Sequence, residues 1–248
     1  MNVALAAVSL VPGLAVGSFL NVVAARVPLR RSIVSPGSAC MSCSTPLGWY
    51  DNVPLLSYLL LRGRCRHCGA AISVRYPAVE ALTALLIGGS VLKYGLSWDA
   101  LIASVFCAAL VAVSATDAER RIIPNWIVLP AAVLVLFGNT IVHPSVEWIA
   151  AGLGASLFLL LAALAYPAGM GMGDVKLALL LGVALGRTVP VAMMIGMLSA
   201  LVPSVALLIR HGSAARKMAI PFGPFLAFGG VVGLFAGRSL LHAYLGLL

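Results

Sequence analysis

Asp117 and Asp174 are the residues of this chain best placed to do chemistry. Each lies beside long apolar runs. An ionisable carboxylate at membrane depth is unfavourable by roughly 3 kcal/mol on insertion scales, so one that persists there points to function. Asp174 ends the run Gly171-Met172-Gly173-Asp174, where the glycines offer freedom at positive φ and close backbone approach, and Lys176 follows two residues later. Two carboxylates that meet across a water-accessible cleft share one proton. One then serves as base and the other as acid, a dyad able to activate water against a peptide bond. The competing reading is charge pairing, Asp117 with Arg120 or Arg121 and Asp174 with Lys176. An isolated pair of glycines would be read as helix packing. Followed by one acid, with a second acid at the same face, Gly171, Gly173 and Lys176 read as support for a catalytic centre.

Other hydrolytic machinery does not assemble. There is no H-E-x-x-H, and His67, His143, His211 and His242 are scattered over different segments, which argues against a metalloprotease. Ser114, Ser156 and Ser199 have no His or Lys at matching depth to activate them.

The second constellation is Cys40-x2-Cys43 with Cys65-x2-Cys68, the pairs separated by 21 residues. This spacing is close to the two-pair zinc pattern, in which four thiolates surround one tetrahedral ion. Arg64 and Arg66 nearby favour the thiolate form. Four protein ligands leave no position for water, so the ion would be structural. Two disulfides are the alternative, but a cytosolic setting disfavours them. His67 reads as a surface residue, and Cys107, alone in an apolar run, as a small buried hydrophobe.

These residues must be positioned by membrane helices. Hydrophobic residues make up 62% of the 248 and charged residues only 9%, far from the composition of a soluble domain; the mean hydropathy is +1.08. The fold class is therefore an all-α polytopic membrane protein. Eight spans of about 20 apolar residues are expected, near 3–24, 77–94, 98–116, 125–142, 147–168, 175–186, 189–209 and 222–246, the sixth being short. No basic residue precedes the first span and Arg26, Arg30 and Arg31 follow it, which reads as an uncleaved anchor with its N-terminus outside. Residues 25–76 then form a long cytoplasmic loop, stapled by zinc between the first two spans.

Under this topology thirteen of the sixteen Lys and Arg residues fall inside, leaving Lys93, Arg187 and Arg238 outside, so both termini are expected outside. Asp117, at the end of the third span, and Asp174, at the start of the sixth, share the cytoplasmic face. The net charge of +9 follows from the same topology and from attraction to anionic membrane lipid. No aromatic residues interleave a basic stripe as a nucleic-acid groove requires.

The chain resembles the bacterial type IV prepilin peptidases, membrane aspartyl proteases of the GxGD type. The resemblance is carried by Gly17-Ser18-Phe19-Leu20-Asn21-Val22 with Arg26 and Pro28, the four cysteines, Trp49-Tyr50-Asp51-Asn52-Val53-Pro54-Leu55-Leu56-Ser57-Tyr58, and Arg75-Tyr76-Pro77-Ala78-Val79-Glu80. It continues through Asp117, Ile123-Pro124-Asn125, Gly171-Met172-Gly173-Asp174-Val175-Lys176 and Pro221-Phe222-Gly223-Pro224-Phe225. Met41 departs from the family, which more often has proline there. The resemblance implies an inner-membrane enzyme that cuts prepilin and pseudopilin precursors after a glycine at the cytoplasmic face, with Asp117 and Asp174 as the dyad. It also implies transfer of a methyl group from S-adenosylmethionine to the new N-terminal residue. The implied organisation is a first transmembrane helix over 1–24, a zinc loop associated with methyl transfer over 25–76, and a peptidase bundle over 77–248.

No G-x-G-x-G nucleotide loop following a strand is present, so a Rossmann-type cofactor site cannot be argued. The polar candidates for holding the methyl donor are Asn21, Asp51, Arg75 and Glu80, each with a structural alternative: a turn at Asp51-Asn52, a hydrogen bond within the bundle for Asn21, a pair between Glu80 and Arg75. Small residues at Gly152, Gly154, Ala155 and Ser156, and at Gly229, Gly230 and Gly233, suit either a substrate helix or internal packing. The basic loop should repel a basic leader, so it is expected to meet lipid or backbone instead. A proton- or cation-coupled transporter using Asp117 and Asp174 would place the acids near the bilayer midplane. A scaffold built on the zinc loop would leave them unexplained.

Overall fold

The computed structural model describes residues 2–166, 170–212 and 220–246. Arg216 and Lys217, counted above on the cytoplasmic side, lie outside the described residues. Nine α-helices account for most of the described chain: α1 Asn2–Arg26, α2 Leu56–Leu60, α3 Arg75–Tyr94, α4 Trp98–Arg120, α5 Asn125–Val142, α6 Glu147–Ala165, α7 Met172–Leu185, α8 Val189–His211 and α9 Gly223–Leu245. Eight of them are long, at the positions expected from hydropathy. Six segments are long and apolar enough to cross a membrane, one of them running continuously through α7 and α8. α3 is not among the six; Arg75, Glu80 and Lys93 make it more polar. The protein is a multi-pass, all-α membrane protein. Large exposed side chains such as Leu153, Phe158 and Val202 fit that solvent.

The chain divides into two compact units, one ending at Ala115 and one beginning at Thr116. In the first, α1 and α3 pack antiparallel in a four-residue register. Gly13 meets Ala84, Gly17 meets Glu80, and the Asn21 side-chain amide donates to the Tyr76 carbonyl at 3.0 Å. A Cβ on Gly17 would fall 2.6 Å from the Glu80 Cα, so this backbone approach requires glycine. Between these helices, residues 27–74 hold two knuckles, a short 3-10 turn at Trp49–Asn52 and α2.

In the second unit α7 is the central helix. Leu177, Ala178, Leu180 and Leu181 have no exposed surface, and α5, α6, α8 and α9 all touch it. A helix apolar on every side is stable only when surrounded in this way. The buried Asn139 of α5 donates to the Val183 carbonyl at 2.8 Å, an interhelical bond in a setting without competing water. Beyond α7, Arg187 donates its backbone N–H (2.8 Å) and its Nε (2.9 Å) to the two oxygens of Glu147. The small residues on α6 and α9 serve internal packing for the most part. Gly152 receives Val183 of α7, while Gly229 and Gly233 receive Ala192 of α8. Gly154 alone of these four faces open space.

Candidate functional site

Asp117 lies in the last turn of α4 and Asp174 in the first turn of α7; both are buried, at 5% and 9% exposure. They are 57 residues apart in sequence, and contacts of Ile123 with Gly173 and of Asn125 with Lys176 pack the segment after α4 on the first turns of α7, so both carboxylates lie at the joined ends of these helices. Neither forms an ion pair among the described residues. Lys176 donates its Nζ to Asn125 Oδ1 at 2.9 Å rather than to Asp174, and Arg121 acts on Asp117 only through space. The charge-pairing alternative therefore lacks its contacts.

Each carboxylate is instead oriented by the backbone of a glycine. The Gly223 N–H donates to Asp117 Oδ2 at 2.8 Å, and the Gly171 N–H donates to Asp174 Oδ2 at 3.2 Å. The second bond is reciprocal, because the Asp174 N–H donates to the Gly171 carbonyl at 3.1 Å and so caps the start of α7. In both aspartates Oδ1 is outside these bonds. Two buried carboxylates at the joined ends of these helices, each held through one oxygen, are compatible with a proton-sharing dyad.

The supporting glycines work differently from the expectation of positive φ. Gly171 has φ −85°, and Gly173 lies inside the regular turns of α7. Neither uses left-handed backbone. Gly173 is needed for space, since a Cβ there would fall 2.8 Å from the Ile123 Cβ, whereas one on Gly171 would make only ordinary contact with Asp174. Ile123 against Gly173 and Asn125 against Lys176 therefore brace the segment after α4 on the first turns of α7. In the sequence Gly223, Ile123 and Asn125 carry the family resemblance and nothing more. Their contacts join positions far apart in sequence, which spacing cannot reveal.

The four cysteine sulfurs lie within 4.8 Å of one another, with Cys40 and Cys68 3.8 Å apart. A tetrahedral ion with Zn–S distances near 2.3 Å requires S···S separations of about 3.8 Å. The two knuckles repeat one fold. Cys40 donates its N–H to Thr45 O and Cys65 to Ala70 O; Ser44 donates back to Cys40 O and Gly69 to Cys65 O. Paired bridges, Ala39 with Pro46 and Arg64 with Ala71, close each turn, and Ser44 (φ 57°) and Gly69 (φ 70°) hold the equivalent left-handed position. Backbone N–H groups facing the sulfurs hold Cys40 and Cys65 below the ordinary thiol range, and the Thr45 hydroxyl does so for Cys43. At Cys68 the Ala70 amide acts downward, but desolvation and the other three sulfurs push the thiol up to about 11. This donor set could hold a metal ion, and its spacing fits a single tetrahedral one. His67 is exposed and Cys107 buried, as expected.

The four polar residues proposed for the methyl donor divide. Asn21 and Glu80 are buried at neighbouring levels of the α1–α3 pair, and the Asn21 Oδ1 is fully buried with no hydrogen-bond partner among the described residues. Glu80 accepts the Leu55 N–H at 2.9 Å. Asp51 instead pairs with Arg66 of the second knuckle at 2.9 Å, and Arg66 stacks 5.3 Å from the Tyr50 ring centre. That partnership raises the Arg66 pKa further and ties the Trp49–Asn52 turn to the cysteine cluster.

Residues 11–94 match the bacterial peptidase A24 N-terminal domain and residues 104–205 match the type IV leader peptidase family. A prepilin leader peptidase/N-methyltransferase of Bacillus subtilis is 34% identical over 238 residues, covering 94% of this chain and 95% of that protein. One of the same name from Pseudomonas aeruginosa is 35% identical over 266 residues, covering 94% and 91%. A third, from Myxococcus xanthus, is 50% identical over 118 residues, 48% of this chain and 35% of that protein. No solved structure matches the chain. Matched by these two family models, and by relatives at 34% and 35% identity over more than nine-tenths of both chains, this chain belongs to the type IV leader peptidase family.

Proposed function

We propose that the protein is a membrane aspartyl endopeptidase that removes the leader of type IV prepilins and pseudopilins after a glycine at the cytoplasmic face of the bacterial inner membrane, and then N-methylates the new N-terminal residue. The observation that carries the peptidase reading is the pair of buried carboxylates, Asp117 and Asp174, each oriented by one glycine amide and in no ion pair among the described residues. One carboxylate takes a proton from water as its oxygen attacks the scissile carbonyl, and the protonated partner delivers a proton to the departing nitrogen. Both acids sit in terminal turns of their helices. That position suits a substrate cut at the membrane interface and disfavours a transporter, whose coupling acids belong near the midplane.

Residues 77–248 would form the peptidase bundle, and the loop over 25–76, with the first helix at 1–24, would serve methyl transfer. Cys40, Cys43, Cys65 and Cys68 would hold a structural zinc ion, which fixes the loop and supplies no chemistry to the reaction. S-adenosylmethionine, when bound, supplies a methyl group to the new N-terminal amine, which gives up a proton. Among Asn21, Asp51, Arg75 and Glu80, the Asn21 Oδ1 offers the open acceptor that a donor group on such a ligand would satisfy. Asp51 would act at one remove, through Arg66.

The test is incubation of purified protein in detergent with a prepilin, comparing wild type, Asp117→Asn and Asp174→Asn, with mass spectrometry following leader removal. Each substitution should lower the cleavage rate by roughly 10²-fold or more, the size of a lost acid or base. A single-methyl mass gain should appear only with S-adenosylmethionine present. Cleavage that survives either substitution would remove the dyad.

A further inference from the structure

The loop between α1 and α3 carries apolar surface that is exposed among the described residues. Leu56, Leu59 and Leu60, the i, i+3, i+4 face of α2, are 53%, 70% and 73% exposed. Ser57 turns the other way; it is buried and donates its hydroxyl to the Tyr50 carbonyl. Trp49, 82% exposed, belongs to the same stretch. Facing water, such a cluster would be an aggregation liability.

Its position supplies the reason. The Leu55 N–H, just before α2, donates to Glu80 Oε2 at 2.9 Å. Glu80 lies five residues into α3, or about 7.5 Å along the axis, and opposite Gly17, nine residues or about 14 Å back from the end of α1. α1 is one of the segments able to cross a membrane. A backbone moored at that level lies below the end of the spanning helix, where headgroups give way to hydrocarbon. Arg62 and Arg64 follow α2 directly and are exposed, and Arg30 and Arg31 leave α1 on the same loop.

We infer that α2 and Trp49 form an interfacial anchor, the leucines entering the acyl boundary of the bilayer while Arg62 and Arg64 engage anionic phospholipid headgroups. Three leucines on one face with arginines beside them, and a tryptophan at headgroup level, match the chemistry of that zone. The anchor holds the four-cysteine loop against the membrane. It stands independently of the peptidase reading, because no residue of the aspartate site takes part.

The protein can be tested in vesicles of phosphatidylcholine with or without phosphatidylglycerol, the lipids brominated either near the headgroup end of the acyl chain or near its terminal methyl. In a chain with Trp98, Trp126 and Trp148 changed to Phe, Trp49 emission should be quenched by the shallow bromines and not by the deep ones, more strongly with phosphatidylglycerol. A Leu59→Trp variant in which Trp49 is also Phe should behave the same way without any added charge. Leu59→Glu with Leu60→Glu should lose Trp49 quenching while the protein keeps its cysteine-bound metal. Absence of shallow quenching in both reporters overturns the anchor, as does undiminished quenching in the double glutamate variant. Emission that shifts with protein concentration in detergent would assign the face to a second copy and overturn it equally.

Discussion

The aspartates are held by glycine amides rather than by side chains, and this makes the glycines selective. At Gly223 a Cβ would fall 2.8 Å from Asp117 Oδ2, so Gly223→Ala displaces the carboxylate it now orients. We expect cleavage to fall on the order of 10²-fold, the scale of a misplacement near one ångström, with the protein still folded by circular dichroism. Gly173 and Gly171 offer a paired comparison. Gly173→Ala collides with Ile123, whereas Gly171→Ala meets nothing closer than ordinary contact. Thermal unfolding in detergent should therefore show a lower midpoint for Gly173→Ala, and near wild-type behaviour for Gly171→Ala. Equal effects of the two changes would discard the steric account. At this scale the cysteines were legible because their spacing is local, and the repeat of the knuckle merely adds detail to it. The bonds from Gly223 to Asp117 and from Lys176 to Asn125 were not legible. They span 106 and 51 residues, and only the packed bundle brings their ends together.

Among the elements, the α1–α3 pair and the loop it carries depend on Glu80. Its carboxylate supplies the partner of the Leu55 N–H where the chain takes up positive φ without a glycine (Leu55 φ 57°). Glu80→Ala leaves that amide unsatisfied and should destabilise the loop by about 1–3 kcal/mol. The expected signature is faster hydrogen exchange over residues 53–61 and a larger loss of methyl transfer than of leader cleavage. Unchanged exchange would show that the turn is fixed by other contacts. Removing the metal acts on the same element from its other end. Protons compete with metal for thiolates, so bound zinc should be retained at neutral pH and released on acidification, as elemental analysis after dialysis would show. Helix positions were readable from apolar run length, since the bilayer sets that length. Small α2 was not, because five residues carry too little periodicity to mark a helix.

For the whole molecule, the distribution of basic residues, with the eight long helices among the described residues, predicts both termini on the side away from the cytoplasm, as the proposed function requires. Alkaline phosphatase fused after the last residue should be active in cells, and a fusion within 25–76 should be inactive. The reverse pattern would invert the topology and move the aspartates to the opposite face. Hydropathy conveyed the membrane class and the eight long helices, yet it left open which helix would be surrounded by the others. That place falls to α7, the shortest of the eight, whose side chains such as Leu177 and Leu181 are wholly enclosed. Short length and a central, largely buried position belong together, since a helix shielded by neighbours need not match the bilayer thickness by itself.

The brace between the segment after α4 and the first turns of α7 contains neither carboxylate: it consists of Ile123 seated on Gly173 and of Lys176 bonded to Asn125. An asparagine in place of either aspartate keeps an oxygen able to accept the same glycine N–H. The segment after α4 and the first turns of α7 should therefore stay packed together when the two carboxylates are replaced. A protein carrying both Asp117→Asn and Asp174→Asn would still receive its substrate and, unable to cut it, retain it, so the inactive enzyme becomes a device for capturing uncut precursors from the membrane.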